Sequence, residues 1–249
     1  MKNIHLEPLG NGISIFVSDS YHFSTDTILL ANFSEPKGRK KCVELGTGCC
    51  TIPLLWCRNN KSAEITAVEI QKDACTLSQK SIDYNSLNNQ IRLVNEDLKD
   101  LKGKLLFGSF DVVVCNPPYK ISGGGIKNPQ SSKEIARHEV DCTVEDVCET
   151  ASKLLQFGGK LFMCQRPERL ADVTEAMRKF SIEPKTLRLV QQRKDKAPKL
   201  FLIEGRRGGK RGFLNVLPTL FIEDENGNLS QEMTEIYGSY KEDYKLNVR

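Results

Sequence analysis

The stretch from Phe110 to Lys120, Phe-Asp-Val-Val-Val-Cys-Asn-Pro-Pro-Tyr-Lys, constrains this chain more than any other. Val112 to Val114 are stiff at χ1 and pack well in a pleated sheet, so they predict a buried strand. Pro117 and Pro118 end it, because neither can donate to a ladder and each fixes its own φ. A rigid loop at the carboxyl end of a strand is the result. It carries an amide (Asn116), a bare carbonyl (Pro117) and an aromatic ring (Tyr119) at fixed offsets. That set suits a planar group bearing an NH2. The Asn116 side-chain oxygen and the Pro117 carbonyl can each accept one N–H, and Tyr119 can stack on the ring face. The nitrogen lone pair is then turned toward an incoming electrophile.

The pattern around this loop sets the fold class. From residue 40 onward, apolar runs predict strands near 41–45, 64–69, 91–95, 110–115 and 159–164, with helices near 50–59, 72–86, 143–155 and 167–179. Such alternation implies an α/β fold, a mostly parallel twisted sheet with helices on both faces. Before it, residues 4–9 and 13–17 flank Gly10-Asn11-Gly12, a hairpin signal. Ser24 or Thr25 is placed to cap a helix that carries Asp26 in its first turn. After it, residues 186–191, 199–204 and 213–222 read as strands with no intervening helix, so antiparallel pairing is expected, with a helix near 231–237 at the end. The expected layout is one domain over 1–249. It has a hairpin-and-helix annex at 1–35, a core at 36–180, and basic strands with a terminal helix at 181–249.

Cys42 to Cys50, with Gly46-Thr47-Gly48 at its centre, reads as a strand, a glycine turn and a helix start. Two glycines permit close backbone approach beside a helix N-terminus. Thr51 stands where the dinucleotide fingerprint has its third glycine, so this is not that motif. The next strand ends in Val68-Glu69, where an acid can take both hydroxyls of a ribose. The third ends in Asn95-Glu96-Asp97, where an acid can accept an adenine amino group. The fourth ends in Asn116. Four successive strands thus place polar groups at the carboxyl edge, where open α/β sheets bind ligands.

Together, the glycine turn, Glu69, Asp97 and Asn116-Pro117-Pro118-Tyr119 resemble the class I methyltransferases that use S-adenosylmethionine and direct it to amino groups. The resemblance implies a Rossmann-like fold and a cofactor site of Thr25, Asp26, Glu44, Gly46, Thr47, Gly48, Glu69, Ile70, Asp97, Leu98 and Asn116. Glu44 and Asp26 would lie near the cationic sulfonium, although Asp26 also reads as an ordinary helix-start acid. Enzymes with this motif methylate adenine N6, guanine N2 or cytosine N4, or a glutamine side chain in a protein. The glutamine enzymes carry an N-terminal helical domain, for which a glycine turn at residue 46 leaves no room. The longer pattern is similar to the bacterial tRNA1(Val) adenine-N6-methyltransferases. It includes Phe23-Ser24-Thr25-Asp26, Ala136-Arg137-His138-Glu139, Gly158-Gly159, Leu217-Pro218 and Ile236-Tyr237-Gly238. That resemblance implies methylation of the adenosine 3′ of the anticodon. A protein-glutamine methyltransferase and an enzyme acting on another RNA remain the alternatives; the intact loop from Asn116 to Tyr119 argues against an RNA-binding module without turnover.

Composition bounds the partners. The 249 residues are 39% hydrophobic and 27% charged, with no apolar run long enough for a membrane span and no apolar leader after Met1, so a cytoplasmic protein is expected. Nine cysteines are scattered without a Cys-x-x-Cys, and no metal is expected. Net charge is +4, yet ten Lys/Arg against Asp195 and Glu204 fall between Lys185 and Arg211, which leaves the remainder net negative. Such asymmetry points to a polyanion such as tRNA. The candidate RNA contacts are Lys120, Arg137, His138, Arg193, Lys194, Lys196, Arg206, Arg207, Lys210 and Arg211. His138 reads equally as a structural histidine. Gly123-Gly124-Gly125 reads as a lid beside the target.

Overall fold

The computed structural model describes residues 3–117, 142–238 and 240. Strands β3 (Lys41–Leu45), β4 (Glu64–Glu69), β5 (Ile91–Asn95), β6 (Phe110–Cys115) and β7 (Leu155–Gln165) are all parallel. Between them run α2 (Thr51–Asn59), α3 (Lys72–Tyr84) and α4 (Val144–Leu154), with α5 (Leu170–Lys179) after β7. The β-branched run of β6 is buried on both faces, as a central parallel strand requires. The order is β5-β4-β3-β6-β7, continuing through β9 (Pro198–Arg207) to β8 (Ile182–Gln191). Strand order therefore reverses between β3 and β6, and their carboxyl ends, Gly46 and Asn116, flank the crevice that the reversal opens.

The alternating side chains of the sheet feed two cores. Val112 and Val114 of β6 meet α2 and a first helix, α1 (Thr25–Phe33); Val113 and Cys115 meet α4 and α5. Fully burying a Val or Leu contributes about 1.5–3 kcal/mol, so the two cores together hold the strand ends in place. The α4 start is fixed by a reciprocal capping box: the Thr143 side chain accepts from Asp146 N–H while the Asp146 carboxylate accepts from Thr143 N–H. At α1, Ser24 occupies the cap position but makes no side-chain cap bond. The N-terminal hairpin, β1 (His5–Gly10) and β2 (Ile13–Val17), docks on α2 and α3. Ser14 N–H donates to Asn85 Oδ1 at 2.9 Å and Phe16 N–H to Ser81 Oγ at 2.9 Å. The last helix, α6 (Gln231–Tyr237), is tied to α2 by the Arg58 guanidinium, which donates to the carbonyls of Ile236 and Tyr237.

The late strands depart from the expected antiparallel set in one respect. β9 pairs antiparallel with both β7 and β8, as expected. The stretch 213–222 instead forms two two-residue strands, β10 (Asn215–Val216) and β11 (Leu220–Phe221), both parallel to β8. The cause is geometric. Arg207, the last residue of β9, lies opposite Ile182, the first of β8. The chain turns there, crosses the start of β8 and runs back along its outer edge, in the direction of β8. Pro218 lacks an N–H and splits the run in two. Among the described residues no helix is long and apolar enough to cross a membrane.

Candidate active site

The glycine turn after β3 is positioned by β4. The N–H groups of Gly46 and Thr47 both donate to Val68 O, each at 2.9 Å. Gly46 and Gly48 have φ of +73° and +57°, and a Cβ added to either would meet nothing within 4 Å. It is the backbone conformation that calls for glycine there, and it leaves one side of the turn open. Glu69 ends β4 and is buried. Its Oε2 accepts from Gly48 N–H at 2.8 Å and its Oε1 from Gln71 N–H at 2.8 Å. The carboxylate thus braces both the glycine turn and the start of α3. Carboxylate oxygens have two lone pairs each, so it retains the capacity to accept further donors. Tyr21 extends the brace by donating its hydroxyl to Gln71 Oε1 at 2.7 Å.

Beside this turn lies a cleft lined by Gly46, Val68, Ile70, Glu96, Asp97, Leu98 and Cys142, about 370 Å³ counting the part open to solvent. Ile70 is half exposed at its rim. Apolar walls with an acid at one end suit a flat, amine-bearing ring. Asp97 caps the short 3-10 turn Leu98–Asp100, its Oδ1 accepting from Lys99 N–H at 2.9 Å. Burial pushes the Cys142 thiol up to about 11, so at neutral pH it lines the cleft as an uncharged group. Sequence reasoning missed Cys142, which stands in no motif; only its place just before α4 marked it.

Glu44, on β3, is buried, and burial pushes its carboxyl well above the usual carboxylate range, partly opposed by a hydrogen bond from the Thr47 hydroxyl. Asp26 lies in the first turn of α1, and Thr25 Oγ1 sits 3.2 Å from the Tyr237 hydroxyl. Asn116 reaches the same helix: its Nδ2 donates to Thr27 Oγ1 at 3.3 Å. Thr27, which sequence reasoning missed, turns the amide NH2 toward α1. The acceptor of that amide is Oδ1, the kind of atom an incoming amine requires. Pro117 comes next; Pro118, Tyr119, Lys120, Arg137, His138 and the glycine stretch 123–125 lie outside the described residues. At the end of β7, Gln165 is buried, and its Nε2 has no hydrogen-bond partner among the described residues.

The basic residues divide. β8 runs parallel to β7, so the turn after it, with Arg193, Lys194 and Lys196, lies on the carboxyl edge with Gly46 and Asn116. Arg193 pairs with Asp195 at 3.5 Å, Lys194 with Glu225 at 3.1 Å and Lys196 with Asp195 at 3.0 Å. A groove of about 1230 Å³, counting the part open to solvent, runs between this turn and Phe221 and Glu223–Asn226. Arg206, Arg207, Lys210 and Arg211 lie at the other end of β9, where Arg206 faces Lys160 near the amino end of β7. They are not brought to the site.

A family model described as methyltransferase small domain matches residues 11–182. A relative from Parabacteroides distasonis, named tRNA1(Val) (adenine(37)-N6)-methyltransferase, is 27% identical over 85% of this chain and 87% of its own length. Relatives of the same name come from Tolumonas auensis, 28% identical over 55% of this chain and 56% of its own, and Porphyromonas gingivalis, 27% identical over 73% of each. Among solved structures, a "predicted O-methyltransferase" of Agrobacterium tumefaciens superposes with a TM-score of 0.70 at 18% identity, covering 86% of this chain and 95% of that one. A methyltransferase of Pyrococcus furiosus does so at 0.56 and 20%, covering 79% and 90%. The last two likenesses establish the fold.

Proposed function

The chain belongs to the methyltransferase small-domain family, and on that premise we propose that it transfers a methyl group from S-adenosylmethionine to the exocyclic N6 of an adenosine in tRNA. One observation carries the reading: Gly46, Glu69, Asp97 and Asn116 converge on one edge of the sheet at the reversal of strand order. The name shared by the relatives points to tRNA1(Val) and its adenosine 37. Such a reaction belongs in the cytoplasm, with tRNA.

The donor set fits the cofactor. The open glycine turn suits close approach of its polar tail. The buried Glu69 carboxylate suits ribose hydroxyls, and the cleft at Ile70, Asp97 and Leu98 suits adenine. Glu44, Thr47, Thr25 and Asp26 are the residues we assign to the sulfonium end of the site. When bound, that cofactor supplies a methyl carbon made electrophilic by a sulfonium. The protein's own part is placement, and placement alone can be worth about 7–11 kcal/mol. Asn116 Oδ1 and the Pro117 carbonyl hold the two N–H of the target amine, so the lone pair faces the methyl carbon. Tyr119 stacks on the base, which must leave its neighbours to enter; an anticodon loop makes that easier than a duplex. N6 releases one proton as it is methylated, and the charged, methylated nitrogen is acidic enough to need no strong base. Lys120, Arg137, His138, Arg193, Lys194 and Lys196 are the residues we assign to RNA contact; of these, Arg193, Lys194 and Lys196 lie at this edge, and the first three lie outside the described residues.

The test is labelled methyl transfer to total tRNA followed by nucleoside analysis. N6-methyladenosine is expected. Label recovered only in protein, or in a different nucleoside, overturns the reading.

A further inference from the structure

The amino edge of the sheet, remote from the methyl-transfer site, carries a surface that the reaction does not use. Phe213 is 94% exposed and Phe157 85% exposed. Large apolar rings left in water are the informative exception on a protein surface. These two flank the turn after β9. The Phe157 ring covers Gly208, where an added Cβ would lie 2.3 Å from it, and the Arg206 guanidinium lies over Gly158, 3.5 Å from where a Cβ would stand. Ring, guanidinium and turn therefore form one continuous surface.

Two further observations say what kind of partner it suits. First, its cations are unmatched. Among the described residues, Arg206, Lys210 and Arg211 form no ion pair, whereas the acids at this edge are already engaged: Glu183 with Arg178, Glu204 with Lys160, Asp111 with Lys40. Second, Phe213 has φ of +58°, a left-handed conformation unfavourable for a bulky residue. The conformation is held from below. Lys185 donates to the carbonyls of Lys210 and Gly212, and Gly212 N–H donates to Glu183 Oε1 at 3.1 Å. The turn projects an aromatic ring into solvent just after Lys210 and Arg211 in the chain. Cations that track phosphates, with aromatic faces on which bases stack, are the two elements of sequence-tolerant RNA binding.

From this we infer that the amino edge is a second RNA-docking surface, which holds tRNA outside the anticodon stem-loop. The inference rests on tRNA being the substrate. Ten residues of β9, at about 3.3 Å per residue, separate the two edges by about 30 Å. One RNA is therefore held at two places: the carboxyl edge receives the target base and the amino edge grips the body. Binding at the amino edge raises the affinity for whole tRNA and leaves the methyl-transfer step untouched.

The experiment compares a tRNA1(Val) transcript with its isolated anticodon stem-loop, by fluorescence anisotropy across a salt series and by steady-state methylation. The variants are Arg206→Ala/Lys210→Ala/Arg211→Ala and, separately, Phe213→Ala, each with its circular dichroism and native mass recorded. For whole tRNA the triple variant is expected to bind at least tenfold more weakly at low salt, with a log–log slope shallower by about 2–3, since each phosphate contact contributes about 0.7–0.9. Phe213→Ala is expected to lose roughly tenfold through stacking. KM should rise while kcat at saturating tRNA, and all stem-loop values, stay at wild-type level. Unchanged affinity and slope for whole tRNA overturn the proposal. So does an equal loss for the stem-loop, which would put the patch at the anticodon. So does a change of native mass without loss of RNA affinity, which would make the patch a protein–protein surface. Binding is read independently of turnover, so a wild-type protein that binds tRNA but methylates something else refutes the functional reading and leaves this test standing.

Discussion

The turns at the two ends of β9 are both rich in Lys and Arg, yet their surroundings differ. At the carboxyl edge, Arg193, Lys194 and Lys196 sit among Asp195, Glu223 and Glu225 and are drawn into ion pairs. At the amino edge, Arg206, Lys210 and Arg211 form no ion pair among the described residues: Glu183, the acid opposite Arg206, is taken by Arg178, and Phe157 and Phe213 stand exposed at the same turn. The difference bears on what each edge is for. A site that must admit a base beside a cationic cofactor gains from balanced charge, because a strong positive field there would oppose the sulfonium. A surface that only grips phosphate gains from unbalanced charge. Chemistry and affinity are thus assigned to opposite ends of the same strands, and substitutions can pull them apart.

The largest expected effect lies at the chemical end. Asn116→Ala should lower single-turnover methylation by about 10²–10³, the usual cost of one preorganised polar partner, while cofactor affinity and tRNA affinity stay near wild type. The Thr27 contact to Asn116 Nδ2 gives the reason: the amide is held in one orientation, so the loss is one of alignment. A mutant with a near-normal single-turnover rate would remove Asn116 from the mechanism. Next comes Glu69→Ala. Its carboxylate braces Gly48 and Gln71. Removing it should weaken binding of S-adenosylhomocysteine by about 1.5–3 kcal/mol in calorimetry, the scale of hydrogen bonds to a charged group. Equal affinity would mean that Glu69 serves the turn alone.

How much of this division was legible in the sequence depends on its physics. The parallel core was legible because its signals are local: Val112 to Val114 are β-branched, Pro117 and Pro118 stop a strand, and Gly46 and Gly48 open a helix. The strands and helices of residues 41–115 accordingly fall where periodicity placed them, within a few residues at their ends. Two things were not legible. Side-chain partners across the sheet, such as Thr27 to Asn116, join residues 89 apart in sequence. The fate of 213–222 depended on which edge of β8 was free, and that is decided by the insertion of β9 between β7 and β8. For the same reason the sequence places the two basic clusters at ends of antiparallel strands but leaves open whether they share a side of the target pocket. A count of charges between Lys185 and Arg211 cannot register that a ten-residue strand separates its two ends.

A smaller effect is expected from Glu44, and its sign can be worked out. Burial raises its folded pKa above the unfolded value near 4.5, so the folded state binds the proton more tightly. The associated stability is fully present below about 4.5 and is lost as pH rises through the folded pKa. Glu44→Gln keeps the acceptor for the Thr47 hydroxyl and has no proton to lose. The melting temperature of ligand-free Glu44→Gln should therefore gain on wild type as pH rises from about 4.5, by about 2–4 °C for each 1 kcal/mol involved. Parallel curves of melting temperature against pH would show that Glu44 carries its charge without penalty.

The smallest effect addresses the comparison itself. If acids at the carboxyl edge hold its cations in check, removing those acids should make that edge behave more like the other. Glu225 faces Lys194 and Glu223 lies 4.0 Å from Arg193, all partly or largely exposed. Exposed pairs of this kind are worth about 0–1 kcal/mol each, so stability should hardly change on Glu223→Gln/Glu225→Gln. RNA binding should change, because Lys194 then loses its acid and Arg193 keeps only Asp195. The double variant is expected to bind the anticodon stem-loop a few-fold more tightly, with a steeper salt dependence, as released cations recruit about one further phosphate contact. Turnover should not rise with it, since tighter ground-state binding that is equal in the transition state leaves kcat where it was. Unchanged stem-loop affinity at low salt would mean that this turn faces away from RNA, and that the carboxyl edge holds its substrate through the residues near Asn116 alone.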